Sequence, residues 1–309
     1  MVLVVLVALV VGLVAGLVAL AGSLLRAPKP VTAPVCRAEV ADPDGGAALR
    51  AELSPERTAN AALVVGLADQ RGLPARAATI GIATAIQESG LINIDYGDRD
   101  SQGLFQQRPS QGWGTPEQVQ DPVYATTKFY DALVEVDGWT ELEITDAAQR
   151  VQRSGFPEAY ADHEGEGRAL ASSLYGLSPA SLMCRLPPVD RTGQDAPAAP
   201  HASAEAVVVE LQTWATGGWT SSPVGPAPVG AVVVLDASAA AEPSRTAWAL
   251  AHSAVALAGR HGVTRVEVDG RVWDRAEPDA GWRDQAAFSA APGEDGTAPG
   301  DGLVRVVTG

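Results

Sequence analysis

The stretch Gln87-Glu88-Ser89-Gly90, continued after four residues by Asp95-Tyr96-Gly97-Asp98-Arg99-Asp100-Ser101-Gln102-Gly103-Leu104-Phe105-Gln106-Gln107, decides how this chain is read. Pro74 to Glu88 is Ala, Ile, Gly and Thr along most of its length, which predicts a helix with no solvated face, lying in a core. Glu88 then stands at the end of a buried helix. Unpaired carbonyls there disfavour an anion and the apolar surroundings desolvate it, and both effects raise a carboxyl pKa. A carboxyl kept protonated near neutral pH is what a general acid requires. Position alone favours a plainer reading, a solvated charge at a helix end before Gly90, because most such charges face water.

Glu88-Ser89 followed at a short distance by Gly103-Leu104-Phe105-Gln106 resembles the E-S … G-L-M-Q pattern of lytic transglycosylases and goose-type lysozymes, with Phe105 where that family usually has Met. Asp121-Pro122, leading into a segment with Tyr130 and Leu133, is similar to the family's next element. The resemblance covers most of Cys36 to Cys184. It implies a lysozyme-like helical fold in which Glu88 protonates the glycosidic oxygen between N-acetylmuramic acid and N-acetylglucosamine of peptidoglycan, with no cofactor. Ser89, Gln106 and Gln107 then belong to the glycan groove, where an amide both donates to and accepts from sugar groups. Where the family carries A-Y-N-A-G, this chain has Val151-Gln152-Arg153-Ser154-Gly155-Phe156-Pro157. Gln152 is the candidate for the missing amide and Tyr160 for the family's late groove tyrosine. A transglycosylase needs no second carboxylate; a hydrolase does, and Asp95, Asp98 and Asp100 are the candidates. At least two of those three read more simply as turn-forming Asp in a Gly-containing loop.

Working outward, Ser54-Pro55, Thr115-Pro116 and Asp121-Pro122 each set a capping side chain before a proline at the first helical position, predicting three helix starts. Further helices are expected near Thr145 and after Pro157, so residues 36–184 read as an all-α domain. Cys36 and Cys184, the only two cysteines, bracket it. A disulfide between them is the economical reading, and such a bond persists only in an oxidising compartment; two separate buried thiols are the alternative. Beyond a Pro-rich linker at 185–204, residues 205–309 predict a small α+β accessory domain. Its expected strands are Val207–Leu211, Ala231–Leu235 and Val263–Val268, with a helix over Ser244–Gly259. Asp269-Gly270 marks a two-residue hairpin. Trp214, Trp219, Trp248, Trp273 and Trp282 are expected in its core more than on a sugar-binding face.

At the other end, Val2 to Leu25 contains no charge and is long enough to cross a hydrocarbon core of about 30 Å. Residues 1–26 are expected to be a transmembrane anchor or a signal segment, followed by a linker at 27–35. Arg26 and Lys29 follow this span and no basic residue precedes it, which argues for a cytoplasmic body. The cysteine pair argues the opposite way and outweighs it, so the expectation is a single-pass membrane protein with its body outside the cytoplasm, or a secreted one. The expected fold class is a mainly α lysozyme-like domain followed by a small α+β domain, with an N-terminal transmembrane helix.

A net charge of −15 with no Lys/Arg run excludes a nucleic-acid partner. Four His without H-E-x-x-H spacing, and two Cys, give no metal site. There is no G-x-S-x-G and no phosphate loop. The partners expected are peptidoglycan and, through the first helix, a membrane. Two other readings stay open: a lysozyme-like groove that binds glycan without cleaving it, and an envelope assembly factor whose partner binds the tail.

Overall fold

Alternation over Val35-Cys36-Arg37-Ala38-Glu39-Val40 buries Cys36, Ala38 and Val40 and exposes Arg37 and Glu39. In the computed structural model, which describes residues 33–190, 200–215, 217–227, 230–287 and 298–309, this segment is strand β1 (Val35–Val40). It pairs antiparallel with β2 (Leu49–Leu53) on one side and with β3 (Leu182–Arg185) on the other. Cys36 and Cys184 stand directly opposite in the β1–β3 register and form the disulfide. The all-α expectation for residues 36–184 is therefore corrected. A three-stranded sheet closes that region, and its third strand comes from the far end of the segment.

The proline-initiated helices form as their caps dictate. Ser54 Oγ accepts from Arg57 N at the start of α1 (Pro55–Gln70). The next helix, α2 (Ala75–Ser89), is buried from Ala77 through Ala85 and ends on Gly90 in the left-handed conformation. Thr115 and Gln118 cap each other's backbone at α3 (Pro116–Gln120). Asp121 accepts from Val123 N and Tyr124 N at α4 (Pro122–Val134). Two more helices, α5 (Ile144–Gln152) and α6 (Glu164–Leu174), pack on α2, with a short 3-10 turn at Ala159–His163 before α6. Tyr130 of α4 crosses over Gly81 of α2 and donates its hydroxyl to Val64 O of α1 at 2.9 Å, tying three helices together.

The C-terminal region holds six antiparallel strands in the order β4-β5-β9-β6-β7-β8: β4 (Thr220–Ala227), β5 (Gly230–Asp236), β6 (Val263–Val268), β7 (Arg271–Asp274), β8 (Trp282–Asp284) and β9 (Leu303–Thr308). The segment Val207–Leu211, expected as a strand, is helical within α7 (Pro200–Trp214). Ala204, Val207, Leu211 and Trp214 are its buried positions, a helical spacing that the β-branched run disguises. The expected helix is α8 (Pro243–Ala256), followed by the short α9 (Ala258–His261). Asp269 and Gly270 take positive φ at the β6–β7 turn as expected. The fold is thus mixed α/β with a six-stranded antiparallel sheet, not mainly α with a small appendage.

Pro34 to Gly309 forms one compact unit, and the contacts that unite it are specific. Trp273 and Trp282 donate their indole N–H groups to Cys184 O and Leu182 O, at 3.1 and 2.7 Å, so alternate carbonyls along the free edge of β3 are capped. Arg245 of α8 bonds Asp69 of α1 at 3.1 Å and Tyr175 O at 3.1 Å. The fully buried His252 sits between Trp248 and Trp282, and its Nδ1 donates to Ser173 O at 2.6 Å. Burial pushes its pKa down to about 4, so it is neutral. Trp214, Trp248 and Trp273 are buried, and Trp219 and Trp282 pack half-buried against the same core.

Among the described residues no helix is long and apolar enough to cross a membrane. The expected single-pass placement, with the body outside the cytoplasm, is corrected accordingly, since no spanning helix is found to carry it. Val2–Leu25, on which that expectation rested, lies outside the described residues.

Candidate active site

Glu88 is half-buried on the last turn of α2, and its carboxyl faces Gln152, the last residue of α5, and Tyr160 on the 3-10 turn that follows. Tyr160, fully buried on the 3-10 turn, donates its hydroxyl to Glu88 Oε1 at 2.7 Å. The Gln152 amide donates to Phe105 O at 2.8 Å and lies near enough to Glu88 to favour its charged form. Burial raises the Glu88 pKa, and the Tyr160 and Gln152 hydrogen bonds pull it partly back down. The net direction is upward. Burial likewise pushes the Tyr160 phenol up; the Ser154 hydroxyl opposes this, and the adjacent Glu88 charge adds to it. Tyr160 therefore stays a neutral donor. Glu88, Gln152 and Tyr160 are the sequence-identified residues that converge.

The segment that supplies these donors is pinned. Arg153 takes φ +53° and ends α5, turning the chain back toward α2. Gln149 Nε2 holds Ser154 O at 2.9 Å, and Thr145 Oγ1 holds Pro157 O at 2.7 Å. Ser154 Oγ accepts from Phe156 N at 3.0 Å, and its hydroxyl lies near the Tyr160 phenol. Sequence reasoning passed over Ser154, whose signal was only a hydroxyl within Val151–Pro157.

The other expected groove residues are spent on scaffold. Ser89 Oγ bonds Ala85 O and Leu104 O, at 3.1 and 2.8 Å, stitching the end of α2 to the Gly103–Gln107 hairpin. Gln102 and Gln107 exchange backbone hydrogen bonds at the base of that hairpin. Gln107 is buried and its amide donates to Ala125 O at 3.0 Å. Gln106 folds back to Tyr96 O and Gly103 O, at 3.2 and 3.3 Å. Gly103 has φ +78°, and a Cβ there would lie 2.3 Å from Val119 O, so this turn admits only glycine. Phe105 is buried and stacks on Phe129 with centroids 4.6 Å apart.

The three aspartates behave as loop residues. Asp100 accepts from Ser110 N, Ser110 Oγ and Arg108 Nε, at 2.7, 2.9 and 3.1 Å, which holds its pKa down to about 2. A carboxylate so satisfied is a poor base. Asp95 and Asp98 are exposed, with Asp98 beside Arg99 at 3.9 Å. None of the three has a hydrogen bond to Glu88, Gln152 or Tyr160 in the described contacts. Beside Glu88, His163 lies between Gln87 Oε1 at 3.1 Å and Glu166 Oε2 at 3.2 Å. No spacing in the chain pointed to this His.

The arrangement can deliver a proton from one desolvated carboxyl that a neutral phenol holds in place. A concavity between α7 and the β4–β5 edge, lined by Ala204, Glu205, Val208, Val209 and Val232 among others, holds no such combination. The chain matches no protein-family model, and a search of the curated proteins found no match.

Proposed function

We propose that this chain cleaves peptidoglycan glycan strands between N-acetylmuramic acid and N-acetylglucosamine, with Glu88 as its single acid–base. One observation carries the reading: a half-buried carboxyl with a raised pKa, oriented by Tyr160 at 2.7 Å. The protonated Glu88 donates to the glycosidic oxygen as its bond to C1 breaks. The resulting carboxylate then takes the proton of the muramic acid 6-hydroxyl, whose oxygen closes on C1. The products are a 1,6-anhydro end and a free N-acetylglucosamine end, and Glu88 is left protonated. No water is consumed and no second carboxylate takes part, in keeping with an Asp100 committed to Ser110 and Arg108.

The test is mass spectrometry of purified peptidoglycan incubated with the oxidised full chain, wild type beside Glu88→Gln. Anhydromuropeptides from the wild type alone are expected. Reducing ends in their place would move the chemistry to a hydrolase, and no soluble product from a folded wild type would refute cleavage.

A further inference from the structure

Among the described residues, five large hydrophobic side chains are exposed: Tyr96, Val134, Phe156, Leu177 and Val209. Singly exposed aliphatic residues are ordinary on a protein surface. The two aromatic ones both sit on segments joined to the site: Tyr96 on the loop that leaves α2 after Glu88, Phe156 between Gln152 and the 3-10 turn that carries Tyr160. Every Trp is buried or half-buried, so Tyr96 at 70% and Phe156 at 77% relative exposure are the open aromatic faces of the described surface.

Their backbones are held still. Tyr96 O accepts from Gln106 Nε2, and the neighbouring Gly97 lies so close to Gln106 that a Cβ would stand 1.9 Å from its Oε1. Gln106 follows Phe105, whose carbonyl is bonded by Gln152 of the site. On the other loop, Phe156 N is fixed to Ser154 Oγ, and four residues on, Tyr160 donates to Glu88. Its neighbours are pinned at Ser154 O and Pro157 O. Each ring thus stands in water on a hydrogen-bonded loop: Tyr96 is tied to the hairpin that Gln152 holds, and Phe156 to the turn that leads to Tyr160. Exposing apolar rings on ordered loops has a cost in water that a ligand's apolar face would offset.

We infer that Tyr96 and Phe156 are stacking platforms for the pyranose rings of an N-acetylated amino-sugar strand passing Glu88. The C–H face of a pyranose packs on an aromatic ring, while its hydroxyls and acetamido groups remain free for polar partners. This rests on the glycan reading of Glu88 and adds the residues that hold the strand. The platforms act on binding and not on the proton transfer, so they are tested without turnover.

The measurement is calorimetric titration of a hexamer of β-1,4-linked N-acetylglucosamine into the full chain carrying Glu88→Gln. Tyr96→Ala and Phe156→Ala are each expected to weaken binding about tenfold, as loss of an aromatic anchor does. Tyr96→Phe and Phe156→Tyr are expected to retain it within about twofold, and all four variants should keep the parent melting temperature because both rings are exposed. Unchanged affinity in both alanine variants overturns the platforms and leaves the glycan reading standing. Absence of hexamer binding by the folded parent also overturns them, and the muropeptide assay then shows whether the glycan reading falls too.

Discussion

Tyr160→Phe removes one atom, the hydroxyl that donates to Glu88 Oε1 at 2.7 Å, and leaves a ring that still fills a fully buried site. The consequence depends on the charge of Glu88. A hydrogen bond to an ionised group contributes about 1.5–3 kcal/mol and one between neutral groups about 0.5–1.5 kcal/mol. Glu88 is half-buried, which places the ionised case at the lower end. At pH 8 the substitution should therefore lower the unfolding free energy by about 1.5–2 kcal/mol, and at pH 4, where the carboxyl is protonated, by about 1 kcal/mol or less. In the Glu88→Gln background the cost should stay near the smaller figure at both pH values. Urea denaturation of the four proteins of this cycle measures it, and the titration of other groups cancels within each pH. Catalytic pH profiles give a second readout with a definite sign. Losing a bond that favours the carboxylate raises the Glu88 pKa further, so the alkaline limb for cleavage should move to higher pH. A cost that is equal at pH 4 and pH 8, and equal in both backgrounds, would refute the link between the phenol and the acid.

Reducing the Cys36–Cys184 bond opens a loop with a sequence separation of 148. The chain-entropy model assigns this about 5 kcal/mol, so the reduced protein should melt far below the oxidised one in a calorimetric scan. Gly103→Ala places a Cβ against Val119 O at a positive φ; it should destabilise the fold by more than about 1 kcal/mol and reduce cleavage, whereas Gly138→Ala, with positive φ but open space, should cost less. Because His252 is held neutral with its pKa at about 4 against an ordinary 6.5, the unfolded chain binds the extra proton between those values. Stability should accordingly fall by about 3 kcal/mol as pH drops from 6.5 to 4, and His252→Gln should flatten that slope in denaturation curves taken across the range.

The local signals in the chain were reliable where a short-range bond enforces them. Ser54, Thr115 and Asp121 cap the helices expected of them, and Asp269-Gly270 turns its hairpin. What escaped depends on partners far away in the chain. Val35–Val40 alternates as a strand should, but Ala, Arg and Glu weaken its β character, and its partner β3 lies beyond the helices. Val207–Leu211 failed the opposite way, because the packing of Val207, Leu211 and Trp214 overrides the β preference of valine. At the site, the position of Glu88 was legible because burial of its helix was. The amides were not, since a glutamine bonds a backbone carbonyl as readily as a sugar, and Gln106 and Gln107 took the carbonyls nearest to them. Asp100 was claimed by Ser110 and Arg108 on the same loop, a pairing that needs the turn itself to exist.

The place of β1 in its sheet orders events as the chain is made. It sits between β2, which follows it closely, and β3, which is synthesised only after all the helices from α1 to α6. Until then one edge of β1 has no partner and Cys36 has no thiol to meet, so the nascent chain presents an open strand edge and a reactive sulfur together. Mispaired dimers through Cys36 are the characteristic failure of such a chain, and the completed β3, capped by Trp273 and Trp282, closes that route.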